Sequence, residues 1–378
     1  MLLLLTLRQQ LTKFTHLLQD ELFPTIETEV GELSEPAKRL TAVLAMISLR
    51  RFVPVSQGWN GRPAKNRYAI ACAYVAKVVY NFPDTRHLIE RLQNDPQLRA
   101  LCGWKREEVL PHESTFSRAF TEFASMELPQ FVHEALIRDT QHGRLVGHIA
   151  RDSTAIEVRE RFPPAPVQKK KEKHKKKEKH PAEHGAKEKT RLQRQRAMTL
   201  TKMLQELPRS CDICAKKSST GHQRYWRGYK LHLDVADGQI PISAVLTSAS
   251  VHDSQVAIPL AAMTAQRVTS LYDVMDSAYD AQEIVEHSRS LGHVPIVDPA
   301  HRGRKTKNVI VPGKQPRQLT WAEEKRFQER TMIERVNGRL KDEFGGRFVR
   351  VRGAVKVMAH LMFGVLVLTV DQLMRLSE

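Results

Sequence analysis

The chain has 378 residues, 41% of them hydrophobic, which suits two or three cored domains better than one. Its net charge of +18 and pI of about 9.8 carry a self-repulsion that points to a polyanionic partner, nucleic acid first and an anionic membrane surface second. Four scattered cysteines (Cys72, Cys102, Cys211, Cys214) exclude a disulfide framework in a chain of this size and fit a reducing cytoplasm.

The leucine run Met1 to Leu5 has no positive n-region and meets Arg8 at once, so it does not read as a signal peptide. Residues 1–140 read as helical. Leu11, Phe14, Leu17 and Leu18 recur at helical spacing, and Ala64 to Tyr80 is a long run with few breakers. Asp84-Thr85 opens a helix to Leu92, and Ser114-Thr115 opens another carrying Phe116, Phe120 and Phe123. That last helix reads equally as a DNA-reading helix or as ordinary core.

The texture changes at Leu145, where LVGHIARDSTAIEV reads as a strand. A basic low-complexity insertion is expected at about 163–222. Between Gln168 and Arg196 it holds ten Lys, three Arg and four Glu, half of the chain's net charge. So few apolar residues cannot offset ordering entropy. The stretch reads either as a solvated spacer or as a salt-sensitive DNA arm. Inside the insertion, Cys211-x2-Cys214 with His222 lacks the fourth ligand of a structural zinc site and reads as two free thiols. Tyr225 and Trp226 could stack on bases, though burial at a strand start is the better reading.

Two strands around the Asp237-Gly238 turn follow, then a helix from Ser254 to Gln266, the strand LYDVMD, a helix from Ala281 to Leu291 and the strand HVPIVDP. A helix from Trp321 to Lys341 and another from Ala354 to Leu376 close the chain. Leu361 to Val370 is too short an apolar run to span a bilayer and reads as buried helix. The alternation is that of an α/β fold, a mixed sheet flanked by helices.

Three acids stand out. Asp152 lies inside an apolar strand, where a carboxylate is costly unless paired or metal-bound. Asp276 ends a strand at the edge where α/β folds gather their sites. Glu334 shares one helical stripe with Phe327, Arg330 and Lys341, setting one carboxylate between two cations. Hard divalent cations take carboxylate oxygens, and two such ions can activate a nucleophile and steady a leaving oxygen in phosphodiester chemistry. The bland alternatives are an ion pair of Asp152 with Arg151 or Arg159, an N-cap at Asp276, and a surface pair between Arg330 and Glu334.

Phe327-x2-Arg330-x3-Glu334-x6-Lys341 resembles the Tyr-x2-Arg-x3-Glu-x6-Lys signature of bacterial insertion-sequence DDE transposases, with Phe in place of Tyr. Asp152-Ser153-Thr154, Asp276-x2-Tyr279-Asp280, GYKLHL (Gly228 to Leu233) and SASVHDS (Ser248 to Ser254) are similar to further family motifs. So is the helical segment from Gly61 to Phe123. The resemblance implies an RNase H-like catalytic domain over 141–378, preceded by an all-helical domain over 1–140 that binds element ends or dimerises. It implies catalysis and metal binding by Asp152, Asp276 and Glu334, and DNA contacts by Arg330 and Lys341. The cofactor it implies is two Mg2+ ions, with Mn2+ as a substitute. The partners it implies are the element's terminal repeats, target DNA and a second copy of the chain, in a bacterial cytoplasm. An RNase H-like nuclease without strand transfer and a non-enzymatic DNA-binding descendant stay open as alternatives. Asp276 and Glu334 stand 58 residues apart, too close for the β-rich insertion that some members carry, and both hairpin and hydrolytic second-strand cleavage stay open.

Overall fold

The computed structural model describes residues 6–53, 65–160, 189–217, 221–299 and 319–377. The leucine run at the start and most of the Lys-rich stretch lie outside them. The first eight helices are α1 (Leu7–Leu17), α2 (Phe23–Val30), α3 (Glu35–Met46), α4 (Arg67–Val79), α5 (Thr85–Asn94), α6 (Pro96–Leu101), α7 (Glu113–Ser125) and α8 (Leu128–Gln141). Local chemistry sets several of their ends. Thr6 and Gln9 form a capping box on α1, and the Asp84 side chain accepts from the amides of Arg86 and His87 at the start of α5. α4 is buried on all sides from Ala69 to Val79, as expected of a helix apolar around its whole girth. Its Tyr74 ring packs against Phe116, Phe120 and Phe123 of α7, so the aromatic face of α7 is core.

From Leu145 the chain builds a six-stranded sheet with flanking helices. In chain order the elements are β1 (Leu145–Glu157), α9 (Arg191–Gln195), α10 (Leu200–Glu206), β2 (Asp212–Lys217), β3 (Gln223–Ala236), β4 (Ile240–Ser248), α11 (Ser254–Ala265), β5 (Thr269–Met275), α12 (Gln282–Ser290) and β6 (Val294–Val297). Then come α13 (Trp321–Phe327), α14 (Thr331–Asp342) and α15 (Ala354–Arg375). β3 pairs antiparallel with β1 on one side and with β2 and β4 on the other, while β1, β5 and β6 run parallel. This mixed sheet, with β1, β2 and β4 all antiparallel to β3 and with β5 and β6 parallel to β1, is an RNase H-like α/β fold. The order in which helices and then sheet appear matches the sequence reading.

Two details differ from that reading. Order returns before Tyr225: α9, α10 and β2 lie inside the stretch expected to be insertion. α9 and α10 carry Leu192, Leu200 and Met203 into a small apolar cluster with α11 and α12, enough burial to hold short helices in place. The expected helix from Trp321 to Lys341 is broken by a 3-10 turn over Gln328–Arg330. There the Thr331 hydroxyl donates to the Gln328 carbonyl at 3.0 Å, a local bond that competes with the regular ladder.

Both faces of the sheet are covered. Ala244 and Leu246 of β4 enter the core shared with the N-terminal helices, while Val245 joins Val251, Val256 and Leu260 on the side of α11. α15 is long and apolar enough to cross a membrane but is largely buried in protein, between β4 and helices α3, α4, α7 and α8. At the junction of β1, β2 and β3 stands Gly228, opposite both Glu157 and Asp212. Its φ is +149°, and a Cβ there would lie 2.0 Å from the Ile156 carbonyl oxygen, so only glycine fits.

Beneath the sheet, Arg151 and Asp234 form a two-pronged ion pair at 2.8 Å for each bond, and the two side chains are 1% and 0% exposed. Thr264 of α11 donates to the same carboxylate at 2.6 Å, which docks the helix onto the strands. A buried pair of this kind resists loss of one partner far more than loss of both. Asp234→Ala is expected to destabilise by about 3–5 kcal/mol. Arg151→Met with Asp234→Leu should cost clearly less than the sum of the single changes. Urea unfolding of the three variants measures this, and strict additivity would show that the pair does not act as a unit.

Candidate active site

β1 and β5 lie side by side and parallel, and their last registered pair is Arg151↔Met275. Asp152 and Asp276 are the next residues on each chain. The sheet therefore sets the two aspartates on neighbouring backbones about 4.8 Å apart. Burial raises the Asp152 carboxyl from its ordinary 3.8 to about 6, with the charges of Asp276 and Asp253 adding to the rise. The Ser153 amide and Arg330 act in the opposite sense. Asp276 is also raised, by burial and then by Asp253, against a bond from the Ala278 amide and the charges of Arg330 and Lys216. The bland reading of Asp276 holds for one oxygen: Oδ1 accepts from the Ala278 amide at 2.9 Å and caps the turn Ser277–Tyr279. Neither aspartate has an ion pair among the described residues.

The broken helix carries the third acid. The turn holding Arg330 packs on β1 and β5, and α14 packs on β1 and β3. Arg330 Nη2 donates to Glu334 Oε1 at 2.6 Å, and its guanidinium lies 5.7 Å from the Phe327 ring centre. Its positive charge is felt by both Asp152 and Asp276. One arginine thus links the two aspartates to the glutamate. The Phe327, Arg330 and Glu334 stripe survives the helix break, with Phe327 on α13, Arg330 in the turn and Glu334 on α14. Lys341, near the end of α14, lines an adjoining cavity of about 450 Å³.

Arg151 is not the partner of Asp152, because Asp234 engages it on both prongs. Asp273, two residues before the end of β5, is buried and bonded to Ser288 at 2.5 Å and His293 at 3.2 Å. Sequence reasoning missed Asp253 and Lys230. Lys230 Nζ donates to Asp253 Oδ1 at 3.0 Å and to the Val251 carbonyl at 2.9 Å. Both residues fall in quoted motifs, GYKLHL and SASVHDS, which were the available signal. Cys214 lies on β2 and lines the cavity, Trp226 is buried, and Tyr225 is 65% exposed.

Two family models match this chain: the Transposase DDE domain over residues 147–370, and the Transposase domain (DUF772) over residues 28–122. The first spans more than half of the residues and runs from β1 through α15. The chain belongs to the DDE transposase family. It is therefore a DNA transposase, a polynucleotidyl transferase and endonuclease with DNA as its substrate. Strand transfer is general to this family, and its members generally use divalent metal ions. No curated protein and no solved structure gives a significant match.

The donor chemistry of this DDE transposase suits a hard cation in part. Asp152 on β1 and Asp276 just past β5 are carboxylates at fixed backbone positions, the charge of Asp276 helps to raise Asp152, and neither has an ion pair among the described residues. Glu334 spends its carboxylate on Arg330. Among the described residues, no three His, Cys, Asp or Glu side chains converge closely enough to hold a metal ion.

The crowding has a measurable sign. With its folded value at about 6 against an ordinary 3.8, Asp152 favours folding in its protonated form. That contribution is present below about pH 4 and is lost as pH rises through about 6. Without divalent cations at about pH 7.5, Asp152→Asn should melt a few degrees above the wild type, with the gap closing toward pH 4. Magnesium should then raise the wild-type Tm more than that of the variant. Calorimetry at both pH values checks this. A variant that melts at or below the wild type at neutral pH contradicts the crowding.

Proposed function

We propose that Asp152, Asp276 and Glu334 form the catalytic set of this transposase and hold two Mg2+ ions, with Mn2+ as a substitute. The observation that carries this reading is that Asp152 on β1 and Asp276 just past the neighbouring parallel strand β5 have no ion pair among the described residues and share the field of one arginine, which is bonded to Glu334. Bound there, the ions would activate the attacking oxygen and stabilise the leaving one. Asp152 and Asp276 would supply hard oxygen ligands from fixed backbone positions. Glu334 would join them by exchanging Arg330 for metal. Arg330, released from that pair, and Lys341 would hold phosphates of the bound strand in register with the carboxylates. Water would first free a 3′-hydroxyl at each element end, and that hydroxyl would then attack target DNA in the same site.

Residues 1–140 would serve as a helical domain for binding terminal repeats and for dimerisation, with 141–378 as the catalytic domain. Two ends require two active sites, so a homodimer in the synaptic complex is the expected assembly. The protein would work in the bacterial cytoplasm, on the nucleoid. Support for the helical part comes from the second family match, which covers α3 to most of α7.

The direct test uses Glu334→Gln on duplexes carrying the inverted repeats that flank the reading frame. Loss of a metal ligand should lower end cleavage by at least about 100-fold, since removing even the groups that orient ligands costs 10–100-fold. Cleavage at the wild-type rate would refute the assignment. Pre-cleaved ends incubated with a plasmid target check joining, which a nuclease confined to hydrolysis cannot perform.

A further inference from the structure

The cavity beside the aspartates is lined by Lys216 of β2, Arg224 and Trp226 of β3, Lys341 of α14, Arg347, and Glu157 of β1, with Lys230 and Asp253 at one side. Its volume of about 450 Å³ suits a sugar–phosphate unit better than a lone ion. Position ties it to the chemistry. Its lining runs from Ser153, the residue after Asp152, to Lys341 at the end of α14 and Gly346 beyond it, so the cavity extends from beside the first aspartate toward the end of α14.

Its cations outnumber their partners. Arg224 pairs with Glu157 at 2.5 Å, Lys230 with Asp253 at 3.0 Å, and Arg347 with Asp342. Lys216 and Lys341 have no ion pair among the described residues. Lys341 is held below its ordinary value by burial and by the like charges of Arg347, Arg224 and Lys216, with Glu157 opposing. The indole N–H of Trp226 is buried with no acceptor among the described residues. A pocket that gathers like charges and leaves donors unmatched calls for an anion rich in acceptor oxygens.

We propose that this cavity is a DNA-backbone subsite for the phosphodiesters next to the scissile one, and that Lys216, Arg224 and Arg347 contact them alongside Lys341. β2 would then be more than an edge strand, because it brings Lys216 from the basic segment to the active site. The inference rests on the proposed catalytic set for where the reacting phosphate lies.

The test measures binding apart from cleavage. The full chain carrying Asp276→Asn is titrated, without divalent ions, onto a fluorescent duplex bearing the terminal repeat, and anisotropy is read across a salt series. Lys216→Ala and Arg224→Ala should each weaken binding several-fold and lower the log–log salt slope by about 0.9. Lys216→Arg and Arg224→Lys should restore most of both. Variants that melt like the parent yet keep its affinity and slope would overturn the subsite. Affinity lost without a change in slope, and not recovered by the charge-keeping variants, would overturn it too, as a purely structural effect. Neither result depends on whether Glu334→Gln still cleaves, so the subsite and the catalytic set can fail separately.

Discussion

Parallel pairing of β1 with β5 forces Asp152 and Asp276 onto adjacent backbones, and this enforced crowding of like charge organises what surrounds it. Two carboxylates at strand spacing, partly withdrawn from water, raise each other's proton affinity. Protein of this kind ordinarily relieves such repulsion with an ion pair. Here the described residues offer the fields of Arg330, which is itself bonded to Glu334, and, for Asp276, of Lys216, while Asp253, already paired with Lys230, adds repulsion. On the proposed assignment, a divalent ion of the kind this family generally uses would meet that negative charge.

Holding repelling groups in place requires a stiff support. Arg151 and Asp152 are neighbours on β1 with opposite surroundings. Arg151 is sealed under the sheet by Asp234, while Asp152 has no ion pair among the described residues. The sealed pair ties β1 to β3, Thr264 ties it to α11, and Asp273 with Ser288 and His293 ties β5 to α12 and to the start of β6. These bonds stay satisfied whether or not the aspartates above them are ionised. Their worth lies less in net stability than in fixing one register, since a shift by one residue would strand buried charges.

The positive side of the ledger is distributed differently. Half of the net charge sits in the Lys-rich stretch; among the described residues, the cations at the site and its cavity are Arg330 in the 3-10 turn, Lys341 of α14, Lys216 of β2, Arg224 and Lys230 of β3, and Arg347. α15 joins the sheet to the N-terminal helices through one continuous apolar core, so a force on the helical part reaches β4 through packed side chains. Packed interiors transmit strain, so the helical part and the sheet are mechanically continuous.

By itself the sequence determined the elements whose signals are local. A run rich in β-branched residues marked β1, the Asp237-Gly238 turn marked the β3–β4 hairpin though β3 starts earlier, at Gln223, and the Asp84 cap marked α5. Resemblance to a known family singled out Asp152, Asp276 and Glu334. Only tertiary structure decided that the first two are neighbours, because register depends on which strands pair and not on either strand alone. It also decided that Glu334 is bonded to Arg330, that Arg151 belongs to Asp234 across 83 residues, and that Lys230 belongs to Asp253. β2 was illegible beforehand because its charged, cysteine-bearing residues carry no strand alternation. They become a strand by pairing antiparallel with the first half of β3, the next strand along the chain, from Lys217↔Gln223 to Asp212↔Gly228, although their own side-chain pattern does not mark them as one.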